Sequence, residues 1–361
     1  MNWLEKYTFP RESDYQDTDY ALHAYLRSVS RSLRCGTTTA CYFATIHSNS
    51  SKILAECVEK IGQRAFIGKV SMDRNAPDYY KENSAETAIQ DARDFAMSII
   101  NKNNPLITPI LTPRFVPTCS WELMTGLSSL AKELHLPIQS HLSENLKEIE
   151  WVKNLHPEAE NYTDVYYKTG LLTSRTIMAH GIYLDENEIN LLKLSGTGIS
   201  HCPNSNFSIQ SGVLNVRRLL QQGIKVGLGT DVAGGYSPSI LDSIRNAIIA
   251  SKVVAMSPSI RLHQEGHEKD KEDKYLPLSL PEVFYLATLG GAYLLGLGDR
   301  IGNFEIGKEF DALLIDCSVN DSVPQFPHDN VKSMFEKFVY LGDDRNIVNV
   351  FVSGKQIPSM E

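Results

Sequence analysis

Gln139-Ser140-His141-Leu142-Ser143-Glu144 is the stretch from which the fold is read, because three others repeat its design. They are Met178-Ala179-His180-Gly181, His201-Cys202-Pro203-Asn204-Ser205-Asn206 and Gly229-Thr230-Asp231. Each follows a short apolar or β-rich run and puts a ligand or an acid–base group at its end. Consecutive strands ending in His, His and Asp are what a (β/α) barrel needs to hold a metal at its carboxyl-terminal mouth.

Outward from these segments the chain alternates between a strand period and a helix period. Upstream, Asp19 to Arg34 carries apolar residues at Ala21, Leu22, Tyr25, Leu26, Val29 and Leu33, which predicts a helix, with Gly36 as its C-cap. Thr37 to Phe43 is β-branched and aromatic and predicts a strand. Helix over Ser50–Ile61, strand over Arg64–Val70 and helix over Glu86–Ile100 follow. A strand over Pro105–Leu111 runs into Pro113-Arg114-Phe115, and then come helix Ser120–Glu133 and strand Pro137–His141. Downstream the alternation continues as helix Asn145–Leu155, strand Thr176–His180, helix Asp185–Leu194, strand Thr197–His201, helix Val213–Gln222, strand Lys225–Leu228 and helix Pro238–Val254. Strands that alternate with helices over short connections predict a parallel sheet.

The fold class expected is therefore α/β, a (β/α)8 TIM barrel. The count gives seven strands where a closed barrel of this kind has eight. A first strand is accordingly expected before Met1, and the chain is expected to supply strands two to eight over residues 1–300. After a helix over Leu280–Leu295, strands over Asp311–Ile315 and Ile347–Val352 predict a small β-sandwich appendage, in part, over residues 301–361.

Composition narrows the function classes. Hydrophobic residues make up 42% and charged residues 22% of the 361, ordinary for a globular chain. The net charge of -8 lies over both halves and argues against a nucleic-acid partner, which would want a basic face. None of the six cysteines makes a C-x-x-C pair, so neither a disulfide framework nor a zinc knuckle is indicated. No apolar run approaches the roughly 18 residues of a membrane span, and the first residues lack the basic and apolar regions of a signal peptide. A cytosolic location and a small-molecule partner are the expectation.

Neutral imidazole is a preferred zinc ligand, and a carboxylate nearby can shuttle protons. One His at a strand end is more often structural. His141, His180 and Asp231 on three strands of one barrel face are hard to explain as core residues, and together they predict a metal site. Zinc would lower the pKa of a water to about 7. Asp231 would orient or deprotonate that water, and Glu144 would carry its proton to the substrate and then to the leaving group. The expected reaction is hydrolytic, at a carbon bonded to nitrogen. Arg114-Phe115 reads equally as a salt bridge beside a core aromatic, or as a guanidinium and ring that hold a flat heterocycle and its carbonyl. His201 is read as a turn residue or a group beside the site, not as a ligand. His263 and His267 stand four apart but lack the Glu of a zincin helix and sit in the charged stretch Arg261–Lys274, so they are set aside.

These segments resemble the amidohydrolase superfamily, in its branch of metal-dependent aminohydrolases. The resemblance runs from Trp3-Leu4-Glu5-Lys6-Tyr7-Thr8-Phe9-Pro10 to Gly354-Lys355. Its most specific pieces are Gly36 to Thr45, Thr112-Pro113-Arg114-Phe115, Ser140 to Asn145, His201 to Asn206 and Gly229 to Gly235. The strand-end motifs alone mark the superfamily, and the long shared segments point to its guanine-specific branch. The resemblance implies one zinc ion held partly by His141, His180 and Asp231, with Glu144 as proton shuttle and Arg114 and Phe115 on the purine. It implies guanine as substrate, xanthine and ammonia as products, and a cytosolic homodimer. The family pattern begins with a His-x-His on the first barrel strand, and this chain contains no His-x-His. Two other readings compete: a non-catalytic binding or assembly module on the same barrel, and an aminohydrolase of another heterocycle.

Overall fold

Local pairing follows the two periods of the sequence. The computed structural model describes residues 3–257, 260 and 275–358, and the stretch Arg261–Lys274 with its His263 and His267 lies outside the described residues. The chain forms two compact units. The first comprises Met1–Ser30, Thr39–Met178 and Leu194–Thr197, and the second Arg31–Thr38, Ala179–Lys193 and Gly198–Glu361.

In the first unit, the β-branched and aromatic strand Thr39–Phe43 pairs in parallel with Arg64–Gly68, and that strand with Ile107–Pro109. Val70–Ser71 then pairs in parallel with Thr112–Pro113, and Leu111 bridges to Ile138 at the start of Ile138–Leu142. The single strands expected over Arg64–Val70 and Pro105–Leu111 are thus each in two pieces. Past Pro109 the chain changes partner: Ile110 N still donates to Ile67 O at 3.1 Å, Leu111 N donates to Pro137 O at 3.0 Å, and strand pairing resumes at Thr112. The helices between strands begin on side-chain caps. Ser84 Oγ accepts from Thr87 N, Ser120 Oγ from Leu123 N and Asn145 Oδ1 from Glu148 N, at 3.1, 3.1 and 3.0 Å. Each cap contributes about 1 kcal/mol. Apolar residues at helical spacing, such as Leu54 and Val58, Ala92 and Phe95, or Leu123, Leu127 and Leu130, are buried.

The strand interiors also carry polar groups that satisfy one another. Gln139 Nε2 donates to Tyr42 O at 2.9 Å and to Thr112 Oγ1 at 3.0 Å, and Cys41 Sγ donates to Gln139 Oε1 at 3.0 Å. Gly68 is the residue that makes room for this layer. A Cβ there would lie 1.8 Å from Thr112 Oγ1 and 2.6 Å from Gln139 Nε2. Gly68→Ala must therefore displace both hydrogen-bonded groups, and overpacking of this kind costs about 1–3 kcal/mol. Urea denaturation of Gly68→Ala is expected to show a stability loss at the upper end of that range, and an unshifted midpoint would mean that the layer yields freely. Below it, fully buried Lys69 pairs with Glu82, whose other oxygen accepts from Met72 N at 2.9 Å. Either member left alone would be an uncompensated buried charge.

In the second unit, Gly198–His201 pairs in parallel with Val226–Leu228, with His201 beside Leu228. The strand Thr176–His180 begins in the first unit and ends in the second. The helix expected over Pro238–Val254 spans Ile240–Met256. The one expected over Leu280–Leu295 is interrupted: Leu280–Tyr285 and Gly291–Leu294 are α-helical, and Leu286–Gly290 between them is a π turn. Beyond it, Ala312–Ile315, Ile347–Val352 and Lys355–Gln356 form an antiparallel sheet with Ile347–Val352 in the middle. The strands expected for the appendage are both in it. Among the described residues, no helix is long and apolar enough to cross a membrane.

Candidate active site

His141 occupies the fourth position of Ile138–Leu142, half-buried, and its imidazole is held by its own sheet. Its Nδ1 lies 2.7 Å from Arg114 O, which also accepts from His141 N at 3.3 Å. A carbonyl only accepts, so Nδ1 carries the proton and Nε2 has the lone pair that could ligate a metal. The Phe43 ring sits 4.6 Å from the imidazole, and Phe115 meets it edge-on at 6.5 Å. Beneath the strand, Tyr166 Oη donates to His141 O at 2.8 Å and lies 2.7 Å from Ser140 Oγ. Burial pushes the Tyr166 hydroxyl well above its usual range, so it stays a donor.

Glu144 follows three residues on, half-buried, between Ser143 and the cap residue Asn145. Ser143 has a left-handed backbone with φ of 46°. That conformation is uncommon outside glycine and lies in the three-residue turn from strand to helix.

His180 ends its strand fully buried, and its Nδ1 lies 3.0 Å from Asn206 Oδ1. The amide oxygen is again an acceptor, so Nε2 again has the lone pair that could ligate a metal. Asp231 Oδ2 is 3.8 Å from His180 Nε2. His180 and Asp231 both have positive φ, 71° and 47°. Non-glycine residues in that region cost free energy and cluster at functional sites. The Asp231 turn is tight: its carbonyl accepts from Gly235 N at 2.6 Å, and a Cβ on Gly234 would lie 2.8 Å from Asp231 Oδ2. His141, His180 and Asp231 each offer one ligand atom, and these atoms lie within 4.8 Å of one another. They are a possible His/His/Asp metal site, and the donor set suits zinc.

His201 is buried, and among the described residues neither ring nitrogen has a hydrogen-bond partner. Burial, with a smaller contribution from neighbouring His180, lowers its pKa to about 3, so the ring is neutral. It is not in the His/His/Asp group.

Arg114 and Phe115 are both nearly buried. The Arg114 guanidinium donates from Nη1 to Glu12 Oε2 at 2.6 Å and from Nη2 to Glu12 Oε1 at 3.0 Å. The sequence reading singled out neither Glu12 nor Asn206 individually. Glu12 stands in the polar run Arg11-Glu12-Ser13-Asp14, which reads as a solvated face, and its partners 68 and 102 residues away distinguish it.

Two imidazoles and a carboxylate at strand ends are a donor set that a metal-assisted hydrolase would require. A model of the amidohydrolase family matches residues 1–357, and the chain belongs to that family. Guanine deaminase of Mus musculus is 50% identical over an alignment of 364 positions that covers 99% of this chain and 77% of that protein. Guanine deaminase of Escherichia coli (strain K12) is 37% identical over 99% of this chain and 77% of its own length. Among solved structures, guanine deaminase from C. acetobutylicum with guanine bound in the active site superposes with a TM-score of 0.90. It is 40% identical and covers 99% of this chain and 80% of that one. The fold is the amidohydrolase fold, a TIM-barrel-like mixture of helices and parallel strands.

Proposed function

We propose that the protein is a zinc-dependent guanine deaminase that converts guanine and water to xanthine and ammonia. The observation that carries this reading is the His141, His180 and Asp231 group, in a chain half identical to a guanine deaminase. Both imidazoles have Nδ1 on an acceptor, as metal-binding histidines do. His141, His180 and Asp231 would hold one zinc ion, which when bound supplies Lewis acidity and lowers the pKa of water in the site to about 7.

The chain's own residues do the rest. Phe115 offers an aromatic surface to the flat purine, and the Arg114 guanidinium donates to its single carbonyl. Asp231 orients the attacking water with its carboxylate. Glu144 takes a proton from that water as its oxygen bonds to the amine-bearing carbon, delivers it to the adjacent unprotonated ring nitrogen, and then moves the adduct's hydroxyl proton to the amine as the carbon–nitrogen bond breaks and the new carbonyl forms. Positioned acid–base catalysis of this kind contributes about 10²–10⁴ in rate.

The test is ammonia release from guanine measured together with zinc content on the full chain, before and after treatment with a chelator. Zinc near one per chain, and turnover that falls with chelation and returns with zinc, is expected. Zinc-loaded, folded protein that releases no ammonia from guanine overturns the reading.

A further inference from the structure

The Glu12 carboxylate is shaped around Arg114 and nothing in the reaction so far uses it. Arg114 engages it with both terminal nitrogens, at 2.6 and 3.0 Å, as a two-pronged pair. The Tyr80 hydroxyl donates to the same Glu12 Oε2 at 2.6 Å. Tyr80 is fully buried and its ring lies 5.7 Å from Phe9, while the Arg114 Cζ lies 5.2 Å from the Phe9 ring centre. The carboxylate fixes the guanidinium within its plane, and the Phe9 ring fixes the plane itself. Tyr80 in turn holds the carboxylate, so each rotor in the chain of contacts is stopped by the next.

The pair has an electrostatic consequence. The side chain of Arg114 is only 10% exposed and that of Glu12 22%. A lone guanidinium in so dry a place would draw an anion, whereas one already matched by a carboxylate offers directed N–H donors with no net charge. Such donors suit an uncharged carbonyl and repel a second anion at the Glu12 side.

We propose that Glu12 is the positioning and specificity-determining residue for Arg114: it aims the guanidinium at the neutral purine carbonyl and keeps anionic heterocycles out. This rests on the reading above in which Arg114 binds the substrate carbonyl.

The experiment measures binding calorimetrically on the full chain, with hypoxanthine, which has the carbonyl, purine, which lacks it, and urate, an anion. None of the three carries an amine to lose. In Glu12→Gln, hypoxanthine should weaken about tenfold, purine should change less than twofold, and urate should tighten. Equal weakening of hypoxanthine and purine would make Glu12 a support of the fold only, and unchanged values for all three would also overturn the proposal. Arg114→Gln separates the two readings. If it leaves hypoxanthine binding intact, the carbonyl role of Arg114 falls first. If it weakens hypoxanthine while Glu12→Gln does not, the Glu12 proposal falls alone. Should Glu12→Gln fail to fold, Tyr80→Phe keeps the ion pair and removes the bond that steadies it, along with the long 3.4 Å bond from Ile46 N. It should then weaken hypoxanthine severalfold and spare purine, and equal effects on both would count against the proposal.

Discussion

Asp231→Ala is expected to lose bound zinc and to lower kcat/KM for guanine by at least 10³-fold, equivalent to about 4 kcal/mol of transition-state stabilisation. The residue has two tasks in the proposed site, as a ligand and as the group that orients the water, and alanine removes both. Its Oδ2 stands 3.8 Å from His180 Nε2, and its ligand atom lies within 4.8 Å of those of both histidines. The backbone complicates the substitution, because φ at Asp231 is 47° and alanine is less at ease there than aspartate. Asp231→Asn controls for this, since asparagine tolerates the left-handed region and keeps the shape while discarding the negative charge. The Asn variant should melt close to the parent protein with zinc removed, yet still bind zinc weakly and turn over poorly. Metal analysis beside steady-state kinetics gives the result, and an Asn variant with full turnover would discard the site.

How much of this was legible in the sequence depends on the range of the interaction. Thr176–His180 lies where expected because β-branched and apolar residues fill it and a left-handed residue ends it. The strand-end positions of His141, His180 and Asp231 follow from the same short-range pattern. The interrupted helix after Leu280 does not. Apolar spacing cannot tell a π turn from an α turn. What breaks the helix is close approach, since a Cβ on Gly290 would lie 3.0 Å from Val226 O and one on Gly227 would lie 3.1 Å from Gly291 Cα. The helices Tyr162–Lys168 and Val331–Leu341 were not anticipated, although Asn330 and Ser333 form a capping box that the sequence carries openly. The contacts that set the tautomers of the two histidines were out of reach. Arg114 O reaches His141 across 27 residues and Asn206 reaches His180 across 26, and both depend on which strands are neighbours.

Glu144→Gln separates the metal from the proton transfer. Glutamine matches the side chain in length and shape but cannot accept and release a proton at neutral pH. Glu144 stands outside the His/His/Asp group, so zinc content should match the parent protein. Folding should be spared as well. The helix that follows is capped by Asn145, whose Oδ1 accepts from Glu148 N at 3.0 Å, and Glu144 contributes nothing to that bond. The expected change is therefore confined to kcat, a fall of about 10²–10⁴-fold, with KM for guanine moving little because in the proposed site Arg114 and Phe115 would carry the binding. Zinc loss in this variant would place Glu144 in the metal site instead. Unchanged kcat with zinc retained would remove it from the proton path and leave Asp231 to move every proton, which one carboxylate that also holds the metal is poorly placed to do.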